Sequence, residues 1–114
     1  MTKKPASLRL KINHIVVSVL PLAGKRNDGD TLGYWSAKEQ AIFIHPEYSP
    51  AEQVRILWHE IVHAFYWAYN VDDVPRTEEA ICDLMESPLA ALFRDNPHLG
   101  QVLNDAFAGK PLVR

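Results

Sequence analysis

The residues with the clearest chemical potential lie together at His59-Glu60-Ile61-Val62-His63, an H-E-x-x-H sequence. On a helix, side chains four apart project from one face, one turn from each other. Both imidazoles can therefore reach a single zinc ion at about 2.0–2.1 Å. Glu60, one step round the helix, is placed to reach a water on the metal without ligating it, to take that water's proton, and later to deliver it to a leaving amine. A catalytic zinc usually has three protein ligands and one open position. Glu79-Ala80-Ile81-Cys82-Asp83 offers what is missing, because Glu79 and Asp83 are also four apart and share a helix face. Glu79 is the candidate third ligand. Asp83 is the candidate to hydrogen-bond the far nitrogen of His59 or His63 and fix its tautomer. A one-residue change of phase would put Glu78 in the place of Glu79, and His98 and Cys82 are minor alternatives.

These residues need two helices to present them. Ser49-Pro50-Ala51-Glu52 has the form of a capping box with proline at the first helical position, and the spacing predicts a helix from about Pro50 to Tyr69. From Ile56 onward it is apolar on nearly every side, the pattern of a buried helix. His59, Glu60 and His63 are therefore conspicuous, because burying them without partners would cost several kcal/mol, and a metal would supply the partner for the histidines. Asn70 to Pro75 reads as a loop long enough for a second helix to fold back on the first. Thr77 is its expected cap, with Glu78 and Glu79 in a first turn where the helix dipole favours acids. That helix is expected to break or kink at Pro88, with Ser87 capping a restart. Asn96-Pro97 opens a last helix ending near Gly109.

The first half of the chain reads as strands. Leu8 to Ile12 alternates with period two, Asn13-His14 is a turn, and Ile15 to Leu20 is rich in β-branched residues and ends at Pro21. Gly24 to Gly29 is a loop by composition. Leu32–Ser36 and Gln40–His45 form a hairpin stopped by Pro46. The fold class is therefore α+β: a small, mostly antiparallel, twisted sheet of about four strands packed on the motif helix, followed by two or three further helices, all in one domain over residues 1–114. Trp35, Trp58, Phe65, Tyr66 and Trp67 are expected in the core or in a pocket wall, and Cys82 as a small buried hydrophobe. Tyr34 and Tyr66 are both candidates to stabilise an oxyanion, and the sequence does not choose between them.

Composition narrows the partners. The chain has 114 residues, 47% of them apolar, with 12 basic and 14 acidic residues for a net charge of −2. That balance gives no basic patch, so nucleic acid is not an expected partner. A single cysteine excludes an intramolecular disulfide framework. There is no apolar run of about 18 residues to span a membrane, and the basic start, Met1 to Pro5, does not lead into a signal peptide. A cytoplasmic location is expected.

H-E-x-x-H followed on a second helix by Glu-x-x-x-Asp resembles the pattern of the gluzincin metallopeptidases, and Glu79 to Leu84 looks like their thermolysin-type third-ligand helix. The wider layout is similar to the small ImmA/IrrE-type metallopeptidases, including phage-encoded relatives. That layout is Leu32-Gly33-Tyr34, then the Ala41–His45 strand, then Ser-Pro-x-Glu leading into the motif helix. Leu92 to Pro97 also resembles the phage-associated members. The resemblance spans roughly Leu8 to Pro97, and its specific part is the metal motif. It implies a zinc metalloendopeptidase acting on a peptide or protein substrate, with Zn2+ as cofactor, His59, His63 and Glu79 as ligands and Glu60 as general base. In related peptidases an edge strand takes up the extended substrate. By that analogy Leu32–Ser36 lies at the sheet edge near the zinc, with Gly33, Tyr34 and Trp35 binding substrate. The metzincin pattern is excluded, because it needs glycine and histidine where Tyr66 and Tyr69 stand. Two other readings remain beside it: a zinc-binding regulatory or interaction module that keeps the fold without turnover, and a metal-free helical regulatory domain.

Overall fold

A computed structural model describes residues 8–22, 32–69 and 78–114. The Gly24–Gly29 and Asn70–Pro75 loops and the expected cap Thr77 lie outside them. Four strands, β1 (Leu8–Ile12), β2 (Ile15–Pro21), β3 (Gly33–Ser36) and β4 (Ala41–Ile44), are followed by three helices, α1 (Pro50–Ala68), α2 (Glu78–Asp95) and α3 (Leu99–Phe107). The α+β class and the order of elements agree with the expectation.

The sheet order is β1-β2-β4-β3. β1 and β2 form an antiparallel hairpin whose turn needs a left-handed residue. Asn13 supplies it with φ 55°, a conformation that asparagine adopts more readily than most. β3 and β4 are also antiparallel, but β4 returns from the edge to lie between β3 and β2, which makes the β2–β4 pairing parallel. The sheet is therefore mixed, with two antiparallel pairings and one parallel pairing.

α1 begins as its sequence dictates. Ser49 Oγ accepts the N–H of Glu52 at 3.3 Å, and Pro50 occupies the first turn, where no N–H is needed. At its other end Asn13 Nδ2 donates to the carbonyl of Ala68 at 2.9 Å, so the β1–β2 turn caps the last turn of the helix. The helix lies across one face of the sheet, burying Ile56, Leu57, Ile61 and Phe65 against Leu10, Val17, Ile42 and Ile44. It is not buried all round: Arg55, His59, His63 and Trp67 run down an exposed stripe. The apolar excess that predicted full burial includes Trp58, Val62 and Tyr66, which are half-buried beside that stripe.

α2 runs without interruption through Pro88, contrary to the expected break. The proline ring is buried. Its missing N–H leaves the carbonyl one turn earlier without a helical partner, and packing of Leu89 and Leu92 on the core outweighs that loss. α2 packs on β1, and Asn96 fixes the junction. Its side chain, 2% exposed, accepts from the Lys11 amide at 2.7 Å and donates to the carbonyls of Lys11 at 2.8 Å and Leu92 at 2.7 Å. Gln53 does the same at the start of α1. Fully buried, it accepts from the amides of Leu112 and Val113 and donates to the carbonyls of Tyr48 and Val113. Asn96 is thus a structural tie, and α3 starts after it at Leu99 rather than at the Asn96-Pro97 step.

Asn96→Ala leaves the Lys11 amide and two carbonyls without partners in a dry site. The expected cost is about 2–4 kcal/mol, read as a lower urea midpoint at unchanged slope. Arg94→Ala, which removes an exposed ion pair with Asp95 at 2.9 Å, is expected to leave that midpoint in place.

Candidate metal centre

His59 and His63 stand one turn apart on the exposed stripe of α1, with ring centroids 5.1 Å apart and ring planes 66° from parallel. Neither has a hydrogen-bond partner among the described residues, so their ring nitrogens are open to a common ligand. Glu60 points the other way round the helix, into the contact between α1 and β3, and is 6% exposed. There the backbone N–H of Trp35 donates to its carboxylate. Burial pushes the Glu60 pKa up, while His59, His63 and the Trp35 amide oppose that shift without cancelling it. The result is a carboxyl group raised above the ordinary glutamate range and held by an edge-strand amide.

The edge strand supplies the remaining wall. β3 is the outer strand next to β4. The Trp35 ring sits over α1 in a tilted contact with Trp67, 6.1 Å between centroids. Trp67 follows His63 by one turn and is 45% exposed. Gly33 lies against Ile56 of α1. Tyr34, by strand alternation, is on the opposite face of the sheet, where its ring stacks on Phe43 at 4.8 Å. This separates the two tyrosine candidates: Tyr66, on α1 three residues beyond His63, is on the motif's side of the sheet, and Tyr34 is not.

The second helix is placed differently from the expectation. Glu78, Glu79, Ile81, Cys82 and Asp83 are all exposed, because the residues that hold α2 to the core, Met85, Leu89 and Leu92, lie further along it. Its link to α1 runs through Phe93, 6.2 Å from Trp58. Among the described residues no three His, Cys, Asp or Glu side chains come together as a metal site. The structure therefore pairs His59 with His63, directs Glu60 to the β3 contact, and gathers neither Glu79 nor Asp83 into a three-donor group with them. Cys82 is a free, exposed thiol, not the buried hydrophobe expected. His45 follows β4, edge-on to Tyr48, and His98 precedes α3, both away from the motif.

The donor chemistry fits a zinc ion in part. Two imidazoles one turn apart, without hydrogen-bond partners among the described residues, are a bidentate N-donor pair, and the described residues leave the further protein ligand unsupplied. An open groove of about 1330 Å³ lies elsewhere, between the ends of β1 and β2 and the C-terminal residues Lys110–Arg114, and contains none of the motif residues. Sequence reasoning missed the Trp35 amide, since a backbone donor has no residue signature. No family model, curated protein or solved structure matches the chain, and no helix among the described residues is long and apolar enough to cross a membrane.

The Glu60 environment has a pH signature in metal-free protein. The folded chain keeps a proton on Glu60 at pH values where the unfolded chain, near the ordinary 4.5, has released it. Stability therefore falls as pH rises from that value through the raised folded one. Glu60→Gln carries no charge to bury and can still accept from Trp35. Its Tm is expected to match the parent at acid pH and to exceed it once pH has risen through the raised folded value, as followed by thermal melts in chelator.

Proposed function

We propose that the chain is a zinc-dependent metallopeptidase that hydrolyses peptide bonds, related in design to the gluzincin and small ImmA/IrrE-type enzymes, phage-associated members included. One observation carries this reading: two histidines one turn apart on the open face of α1, without hydrogen-bond partners among the described residues, beside a buried glutamate held by an edge-strand amide. A satisfied pair of core histidines would be buried and hydrogen-bonded, whereas these are exposed and have no hydrogen bond among the described residues.

Each residue has a stated task. His59 and His63 lend neutral ring nitrogens to the ion, and Glu79, or Glu78 beside it, is the acid available at the start of α2 to complete the set. Asp83, one turn after Glu79, would hold the outer nitrogen of a ligating histidine. When bound, zinc supplies a Lewis acid that lowers the pKa of water and polarises a carbonyl. Glu60 is the general base. Its raised pKa makes it a stronger proton acceptor than an ordinary glutamate, able to take the proton and return it to the leaving amine. The Trp35 amide orients one carboxylate oxygen and leaves the other for the water. The outward backbone groups of Gly33 and the outward carbonyl of Trp35 on β3 are the ones offered to an incoming extended peptide, and Tyr66 would donate to a developing oxyanion. The reading brings with it a peptide or protein substrate and a cytoplasmic location.

A second reading is favoured by one finding: the described residues gather no third donor. On it, the domain is a zinc-binding regulatory or interaction module that keeps the fold without turnover.

Metal analysis of protein purified without chelator separates these readings from a metal-free domain. The expected result is about one zinc per chain, lost in His59→Ala and in His63→Ala and weakened in Glu79→Ala. Retention of zinc in both histidine variants would sink the site. Glu60→Gln is expected to keep zinc and lower peptide hydrolysis by roughly 10²-fold or more. A zinc-loaded parent that cleaves no peptide in a mixed library would select the module reading.

A further inference from the structure

The pairing of β3 with β4 fixes the direction of each β3 amide. His45 donates its N–H to the Leu32 carbonyl at 2.9 Å, so Leu32 and His45 form a hydrogen-bonded pair. Alternation along the register makes Tyr34–Phe43 the next such pair and leaves Gly33–Ile44 and Trp35–Ile42 as the non-hydrogen-bonded ones. The amides of Gly33 and Trp35 therefore point off the sheet edge, where no strand among the described residues receives them. The Trp35 amide nonetheless has an acceptor, the Glu60 carboxylate.

Glycine at position 33 makes that reach possible. A Cβ added there would lie 2.5 Å from the Phe43 carbonyl oxygen and 2.8 Å from Cγ2 of Ile56, closer than carbon tolerates. Ile56 and Glu60 are one helical turn apart, about 6 Å along α1. Gly33 and Trp35 are two residues apart, about 6.6 Å along β3. The two spacings match, so strand and helix meet at two successive points: Gly33 on Ile56, then Trp35 on Glu60. Backbone freedom is not the reason for glycine here, since Gly33 lies within a regular strand and is not among the positive-φ residues. Closeness of approach is.

We infer that Gly33 is a positioning residue for Glu60: its absent side chain seats the edge strand on the motif helix, and that seat delivers the Trp35 amide to the carboxylate. The consequence for hydrolysis rests on the metallopeptidase reading, whereas the structural coupling does not. With the strand lifted by a methyl group, the carboxylate would lose its fixed donor and the rotamer that aims its free oxygen.

Amide hydrogen exchange resolved by residue tests this without turnover. In the parent, the Trp35 amide is expected to be protected although no strand receives it. Gly33→Ala and Glu60→Ala should each speed its exchange roughly tenfold or more, with amides inside β4 still protected, and Glu60→Gln should restore protection. In zinc-loaded protein Gly33→Ala should lower kcat about ten- to hundredfold, with zinc content and KM near the parent's. Unchanged Trp35 exchange in Gly33→Ala, or in Glu60→Ala, overturns the inference. So does general loss of protection across β4 in Gly33→Ala, which would reduce Gly33 to a requirement of folding. Coupled exchange in a protein that binds no zinc and cleaves nothing would keep the inference and remove the metallopeptidase reading. Zinc-dependent cleavage with uncoupled exchange would do the reverse.

Discussion

A carboxylate pressed between a helix and the rim of a sheet must be given a donor or be neutralised. Glu60 is in that position, and the amide of Trp35 is the donor. Much of the molecule can be understood as the means of keeping these two groups together. β3 must be an edge strand, since an interior strand would spend that amide on its neighbour. β4 must return between β3 and β2, which produces the one parallel pairing in the sheet. α1 must cross at a height set by Ile56, and the chain must be bare at position 33 to allow it.

The same crossing sorts the motif into two environments. Residues one apart on a helix diverge by about 100°, so directing Glu60 at the strand turns His59 and His63 outward. A base in a dry contact and two donors facing solvent are what an H-E-x-x-H segment yields whenever its glutamate is the residue that docks. The electrostatics follow from this division: desolvation dominates at Glu60, and the neighbouring imidazoles act on it as a weaker opposing influence. The half-buried aromatic residues on either side, Trp58 and Tyr66, give the stripe an apolar border instead of a polar one.

Much of this was legible in the residues, for identifiable reasons. Strand alternation in Leu8–Ile12 and the serine-proline cap at Ser49-Pro50 rest on short-range patterns, and both are found; the edge placement of Leu32–Ser36, expected by analogy and not from a local pattern, is found too. What was not legible depended on packing between distant segments. The burial of α1 was overestimated because tryptophan and tyrosine are counted as apolar even where their rings edge an open face. Pro88 does not break α2, because contacts of Leu89 and Leu92 with the core outweigh one lost backbone bond. Asn96 carries the local signature of a helix start, and only the presence of Lys11 makes it a tie. Gln53 could have been noticed: it falls in phase with Leu57, Glu60 and Ala64 on the inner face of α1, where a polar residue needs buried partners. The separation of Glu79 from the histidines has no sequence signature, because it follows from where the anchoring residues of α2 begin.

Gln53 has a bearing on how the chain assembles. Its buried amide reaches Leu112 and Val113, 59 and 60 residues further along the chain, and Asn96 spans 85 residues to Lys11. Neither can be satisfied by a nascent chain that has released only its sheet and first helix. The motif helix is synthesised before it is locked, because the segment at Leu112 and Val113 must first reach its opening turn. A ribosome-bound fragment ending before that stretch would present a helix with the correct pattern and an unpaired amide in its core. Such high sequence separation slows folding.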